Sequence, residues 1–220
     1  LLAHAGCTPD PTTGALVAPP VLSSTFLRAA DGSYPGGFVY ARADNPTRQA
    51  LETLLAQLDG GAEAAAFASG MAAIHAVLQA LPPGSHVVLA DDVYFGVRHL
   101  LDTVFEGLLT YTPADLSEPG SAEAAFTPDT RMVWAETPSN PLLRITDLAA
   151  LARVTQARGV LLAVDGTWTT PLLQRPLDLG ADLVVHSLTK YMAGHSDVLG
   201  GAVVARDGEG IFARIRTFQK

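Results

Sequence analysis

Cysteine is almost missing from this chain: Cys7 is the only one among 220 residues, so no internal disulfide can form. That usage fits a reducing compartment, and the cytoplasm is the expected location. Positive charge is also scarce. Fourteen Lys and Arg face 22 Asp and Glu, for a net charge of −8 and an isoelectric point near 5.1. That balance argues against nucleic acid as the main partner. No apolar run reaches the length of a membrane span. Leu1 to Cys7 lacks the basic start and long apolar core of a secretory signal. The six histidines show no metal-ligand spacing, and no metal is expected. Asp91-Asp92 reads as a solvated turn. An initiator Met is also lacking, so a longer polypeptide is expected around this sequence. What remains is a chain that is 48% hydrophobic and 16% charged, enough for a sizeable core in one domain or one and a half.

The stretch from Asp182 to Gly201, D-L-V-V-H-S-L-T-K-Y-M-A-G-H-S-D-V-L-G-G, organises the rest. Asp182 to Val185 reads as a buried strand. Ser187, Thr189 and Lys190 follow at once. An amine held close to a buried strand is expected to be desolvated, which favours its neutral, nucleophilic form. The two hydroxyls suit a phosphate. Imine-forming lysine beside a phosphate cradle is the pattern of pyridoxal phosphate binding. The plain alternative is a solvated loop lysine.

Residues 1–47 show little period, and Pro9, Pro11, Pro19, Pro20 and Pro35 break any long helix. This arm is expected to be functional or to lie against a partner. It ends in Y-A-R-A-D-N-P-T, where Tyr40 and Arg42 would point to one side of an extended segment. Thr47 is the expected cap of a helix carrying Leu51, Leu54, Leu55 and Leu58. Ala64 to Ala68 fits strand or helix equally. Ser69-Gly70-Met71 opens a helix over 72–81, with N–H groups suited to an anion.

From there strands and helices alternate: strand 86–90, helix 97–105, strand 108–112, a short helix at 123–126, strand 131–136, helix 147–158, strand 160–164, the strand at 182, strand 201–205 and a helix from 210. This alternation predicts a mostly parallel sheet covered by helices on both faces. Tyr94, Glu136, Asn140, Asp165 and Lys190 each fall at or just past the carboxyl end of a strand, the ligand edge of such sheets. Asp165 reads equally as a turn cap or as the carboxylate partner of a ring nitrogen. Tyr94 reads as a packed aromatic or a ring stacked on a cofactor. Trp168 reads as core or cleft wall, and His186 and His195 as structural.

Five segments carry a resemblance: H-A-G at 4, Y-A-R-A-D-N-P-T at 40, S-G-M-A-A-I at 69, E-T-P-S-N-P at 136 and H-S-L-T-K-Y-M-A-G-H-S-D at 186. D-D-V-Y-F-G at 91 and A-V-D-G-T-W-T-T-P at 163 match more loosely. Together they resemble the pyridoxal-phosphate family of cysteine and methionine metabolism, which holds cystathionine γ-synthases, cystathionine lyases, methionine γ-lyases and homoserine sulfhydrylases. The resemblance implies the large domain of a fold type I enzyme over 48–220, with the arm 1–47 contacting a neighbouring subunit. It implies that Lys190 holds pyridoxal phosphate as an imine and shuttles substrate protons. Asp165 would pair the pyridine nitrogen, and Tyr94 would stack on the ring and assist proton transfer. Asn140 would lie near the 3′-oxygen. Gly70, Met71, Ser187 and Thr189 would hold the phosphate, with Tyr40 and Arg42 reaching it from the neighbouring subunit. The implied partners are an amino-acid substrate and further copies of the chain, as a tetramer built from two dimers. The implied reactions are β- or γ-elimination or γ-replacement on sulfur-containing or O-acylated homoserine-type amino acids, with cystathionine γ-lyase or γ-synthase ahead of methionine γ-lyase or a sulfhydrylase. Rivals of another class are a non-catalytic module on the same fold and an aldolase working through lysine alone.

Three departures stand out. Gly166 stands where the family often has Asn, and Trp168 where Phe or another aromatic is usual. Arg98 sits one place before the usual arginine. The chain ends at Lys220, ahead of the small C-terminal domain that carries the family's carboxylate-gripping arginine; a fragment is expected.

Overall fold

The computed structural model describes Gly6, residues 9–118 and residues 120–220. The readings of His4, Ala5 and Cys7 lie outside the described residues.

The first helix, α1 (Pro46–Asp59), starts two residues earlier than a Thr47 cap predicts. Asn45, not Thr47, is the cap: its side chain accepts the Thr47 N–H at 2.9 Å, and Pro46 takes the first position, where no N–H is needed. The Thr47 hydroxyl instead accepts from the Val21 N–H at 2.9 Å, which ties the arm to the helix. The undecided alanine run is a strand, β1 (Glu63–Phe67), paired antiparallel with Gly201–Ala205. Helix α2 (Gly70–Gln79) follows, then β2 (His86–Ala90) and α3 (Phe95–Thr103). Strand β3 runs from Thr110 to Ala114, two residues later than expected, because Gly107 turns the chain at φ 73°. The one-turn helix α4 is Ser121–Ala124. Then come β4 (Thr130–Glu136), α5 (Leu148–Ala157), β5 (Leu161–Asp165), the short α6 (Thr170–Leu173), β6 (Leu183–His186), β7 (Gly201–Ala205) and α7 (Ile211–Gln219).

The strands form one sheet in the order β1-β7-β6-β5-β4-β2-β3. Five neighbours, β2 to β6, run parallel; β7 is antiparallel to both β1 and β6. Every residue of β2, β6 and β7 is buried, so both faces are covered and the strands carry no polar alternation. Trp134, Met132, Leu162 and Leu183 fill the centre. This topology brings the ends of β2, β4, β5 and β6 to one edge, with α2 starting beside them.

Candidate functional site

A cavity of about 760 Å³ opens at that edge, within the range of small-molecule sites. Its lining includes Gly70, Met71, Tyr94, Asn140, Asp165, Ser187, Thr189 and Lys190. Eight of the ten expected cofactor residues therefore converge, from segments up to 120 positions apart. Tyr40 and Arg42 do not reach it. Both are exposed, in a turn closed by the Tyr40 carbonyl, which accepts from Ala43 and Asp44. The chain is not extended there; the turn brings the Arg42 guanidinium to 5.5 Å from the centre of the Tyr40 ring.

The start of α2 is built for close approach. Ser69 caps it, with its hydroxyl accepting from Ala72 at 3.1 Å and its carbonyl from Ala73. The two remaining N–H groups of the first turn belong to Gly70 and Met71, which line the cavity. A Cβ at Gly70 would stand 2.9 Å from the Ser187 Cβ, so only glycine lets helix and serine meet. Thr189 is less free than expected. Its hydroxyl donates to the Gly200 carbonyl and accepts the Gly200 N–H, both at 3.1 Å.

Lys190 corrects an expectation. It is exposed rather than packed against the strand, because Ser187-Leu188-Thr189 turns the chain out of the sheet before it. Its amine belongs to the open side of the cavity, not to the core. Asp92 also departs from the solvated turn predicted for it: it is buried and accepts from the Ser139 hydroxyl and the Leu142 N–H. It anchors the 137–142 loop that presents Asn140.

Asp165 is 7% exposed and accepts the Thr167 N–H at 2.9 Å. Burial pushes its carboxyl up, against the lowering effect of the Thr167 hydrogen bonds and of His186. Glu136, 4% exposed, stands beside it in register on β4. Burial and then the Asp165 charge push Glu136 up to about 8, opposed by the hydrogen bond from the Tyr94 N–H; Asp92 adds to the rise. Two carboxyls at adjacent strand ends do not both ionise cheaply, so burial favours the protonated form of each.

Two lining groups escape a reading by motif alone. Thr167 lines the cavity, and its hydroxyl accepts the Ser187 N–H at 2.9 Å. Glu136 has the signal of its strand-end position, but nothing in its local sequence says its side chain turns back into the cavity. Trp168 is a cleft wall, tilted against Tyr191 with ring centres 5.8 Å apart. Arg98 donates to the Asp91 carbonyl at 2.8 Å, away from the cavity lining. His186 is fully buried and meets Asp59 at 2.8 Å through Nε2.

These residues fit pyridoxal phosphate: N–H groups and a serine for its phosphate, a buried acid for its ring nitrogen and an amine for its aldehyde. The strand order and the placement of the cavity define the large domain of a fold type I pyridoxal-phosphate enzyme. Residues 1–220 match the model of the Cys/Met metabolism PLP-dependent enzyme family, and the chain belongs to that family. It is 52% identical over 208 residues to a cystathionine gamma-synthase of Mycobacterium tuberculosis, covering 94% of this chain and 54% of that one. It is 42% identical over 218 residues to a cystathionine beta-lyase of Coxiella burnetii, covering 98% and 56%. A crystal structure of cystathionine gamma-lyase from Lactobacillus plantarum, complexed with L-serine, superposes with a TM-score of 0.93 at 42% identity, covering 99% of this chain and 57% of that one. The chain thus spans just over half the length of these relatives.

Proposed function

We propose that the whole protein is a cystathionine γ-synthase that replaces the γ-substituent of an O-acylated homoserine with the thiol of cysteine. The observation that carries a transsulfuration reading is the convergence of Lys190, Asp165, Tyr94 and Ser187 on one cavity at the carboxyl edge of the sheet. The finer choice rests on similarity, since mycobacterial γ-synthases match at 50–52% identity and β-lyases at 42–45%. Cystathionine β-elimination is the second reading, supported by those β-lyases.

Pyridoxal phosphate, when bound, supplies an electron sink for charge developing at the substrate Cα. The chain's own residues do the rest. Ser187 and the Gly70 and Met71 N–H groups hold the phosphate. Asp165 would keep the ring nitrogen protonated, and Asn140 would serve the 3′-oxygen. The Tyr94 ring would cover one face, and the Lys190 amine would move the proton at Cα. Tyr40 and Arg42, outside this cavity, serve the site of a neighbouring copy, in a tetramer of two dimers that shares its sites. The arm 1–47 makes that contact, and the protein works in the cytoplasm. No described helix is long and apolar enough to cross a membrane.

A product assay on the full-length protein tests the reaction. Cystathionine formed from cysteine and an O-acylated homoserine is the expected outcome. Thiol and pyruvate released from cystathionine, without synthesis, would select the β-lyase reading, and no product from either would reject both.

A further inference from the structure

Glu136 is the last residue of β4 and pairs with Asp165, the last residue of β5. Paired residues of parallel strands lie about 4.8 Å apart and point to one face. Both line the cavity, and both are nearly inaccessible to solvent. Glu136 has a second contact across the edge. Its Oε2 accepts the Tyr94 N–H at 2.6 Å, from 42 positions away. Tyr94 precedes α3 and has no side-chain cap of its own. The Glu136 carboxyl therefore ties the start of α3 directly to the end of β4.

We propose that Glu136 is a positioning residue for Tyr94 and Asp165: its carboxyl fixes the Tyr94 backbone at the cavity wall and shares the strand edge with Asp165. This rests on the reading of the cavity as the pyridoxal-phosphate site. The groups around Glu136 are Asp165 from β5 and Asp92 and Tyr94 from the β2–α3 loop; Lys190, from the loop after β6, lines the same cavity. Asp92 is held by Ser139 and Leu142, and Asp165 by Thr167. A second anion beside Asp165 would meet strong repulsion in this buried setting. Protonation of one acid avoids it, leaving a single negative charge for the ring nitrogen. Its hydrogen bond sets the position from which the Tyr94 ring covers the cofactor.

The test uses the full-length protein with Glu136→Gln and Glu136→Leu. Gln keeps an acceptor for the Tyr94 N–H and cannot ionise; Leu loses the acceptor. In titrations followed by visible absorbance, Gln should hold pyridoxal phosphate within about threefold of the wild type. Leu should weaken it about tenfold or more, as expected for a buried N–H left unpaired. Separately, in cofactor-free protein, the melting temperature of the Gln variant should rise relative to the wild type as pH goes from 5 to about 8, where the Glu136 carboxyl begins to ionise. A merely structural contact would not produce that pH dependence. Leu binding as tightly as wild type, Gln binding as weakly as Leu, or a pH-independent difference would each overturn the proposal. A wild type that takes up no pyridoxal phosphate would instead sink the functional reading, and the cofactor-free arm would still decide the protonation of Glu136.

Discussion

Asp165 meets two demands that its sequence context leaves as alternatives. It caps the following turn through the Thr167 N–H, and it also presents a buried carboxyl to the cavity. Both are satisfied because a carboxylate has acceptors to spare. Burial raises its folded-state affinity for a proton. For a group shifted in that direction, the stability it lends is full below the unfolded carboxyl pKa and is lost as pH rises through the folded value. Asp165→Asn keeps the turn and removes the charge. The cofactor-free variant should melt no lower than the wild type at pH 8, while kcat/KM of the full-length enzyme falls by about 100-fold or more, since the ring nitrogen loses its anion. Thermal melts and steady-state kinetics check the pair; retained activity or a lower melting temperature would count against this role. Residue identity was legible at Asp165, Tyr94 and Asn140 because each follows an apolar strand. The exposure of Lys190 and the burial of Asp92 were not, since both depend on how loops leave the sheet.

At the scale of elements, hydrophobic runs place every strand of the sheet within two residues of its observed start, apart from the alanine run that fits either state. That run becomes β1 because β7 offers it a partner, a long-range choice invisible to local pattern. Helix starts were misplaced where a side chain decides them, as Asn45 does for α1. The junction between β7 and α2 shows how tightly elements meet at the site. A Cβ on Gly201 would fall 2.1 Å from the Ser69 carbonyl oxygen. Neither partner is a flexible side chain, so backbone must shift. Gly201→Ala should destabilise the protein by about 3 kcal/mol, at the upper end of overpacking effects. It should also weaken pyridoxal phosphate, because the displaced turn carries Gly70 and Met71. Denaturant unfolding and a cofactor titration measure the two effects.

At the scale of the whole molecule, the cavity is assembled from the ends of four strands and the start of one helix, while Tyr40 and Arg42 stay outside it. The fold class was readable from alternation alone, and the site from its clustering at one sheet edge. The separation of Tyr40 and Arg42 from the other eight residues follows from the path of the arm, which no local spacing reveals. The chain contains only two lysines, Lys190 and Lys220. Lys220 borders a different cleft, beside Arg216 and Glu52. A reductive trapping experiment distinguishes the two. Full-length protein is incubated with pyridoxal phosphate, reduced with borohydride, digested and mapped by mass. A phosphopyridoxyl group on the peptide carrying Lys190, absent after Asp165→Asn has weakened binding or after Lys190→Ala, is the predicted result. An unmodified Lys190 peptide, with label elsewhere or nowhere, would contradict the assignment of the cavity.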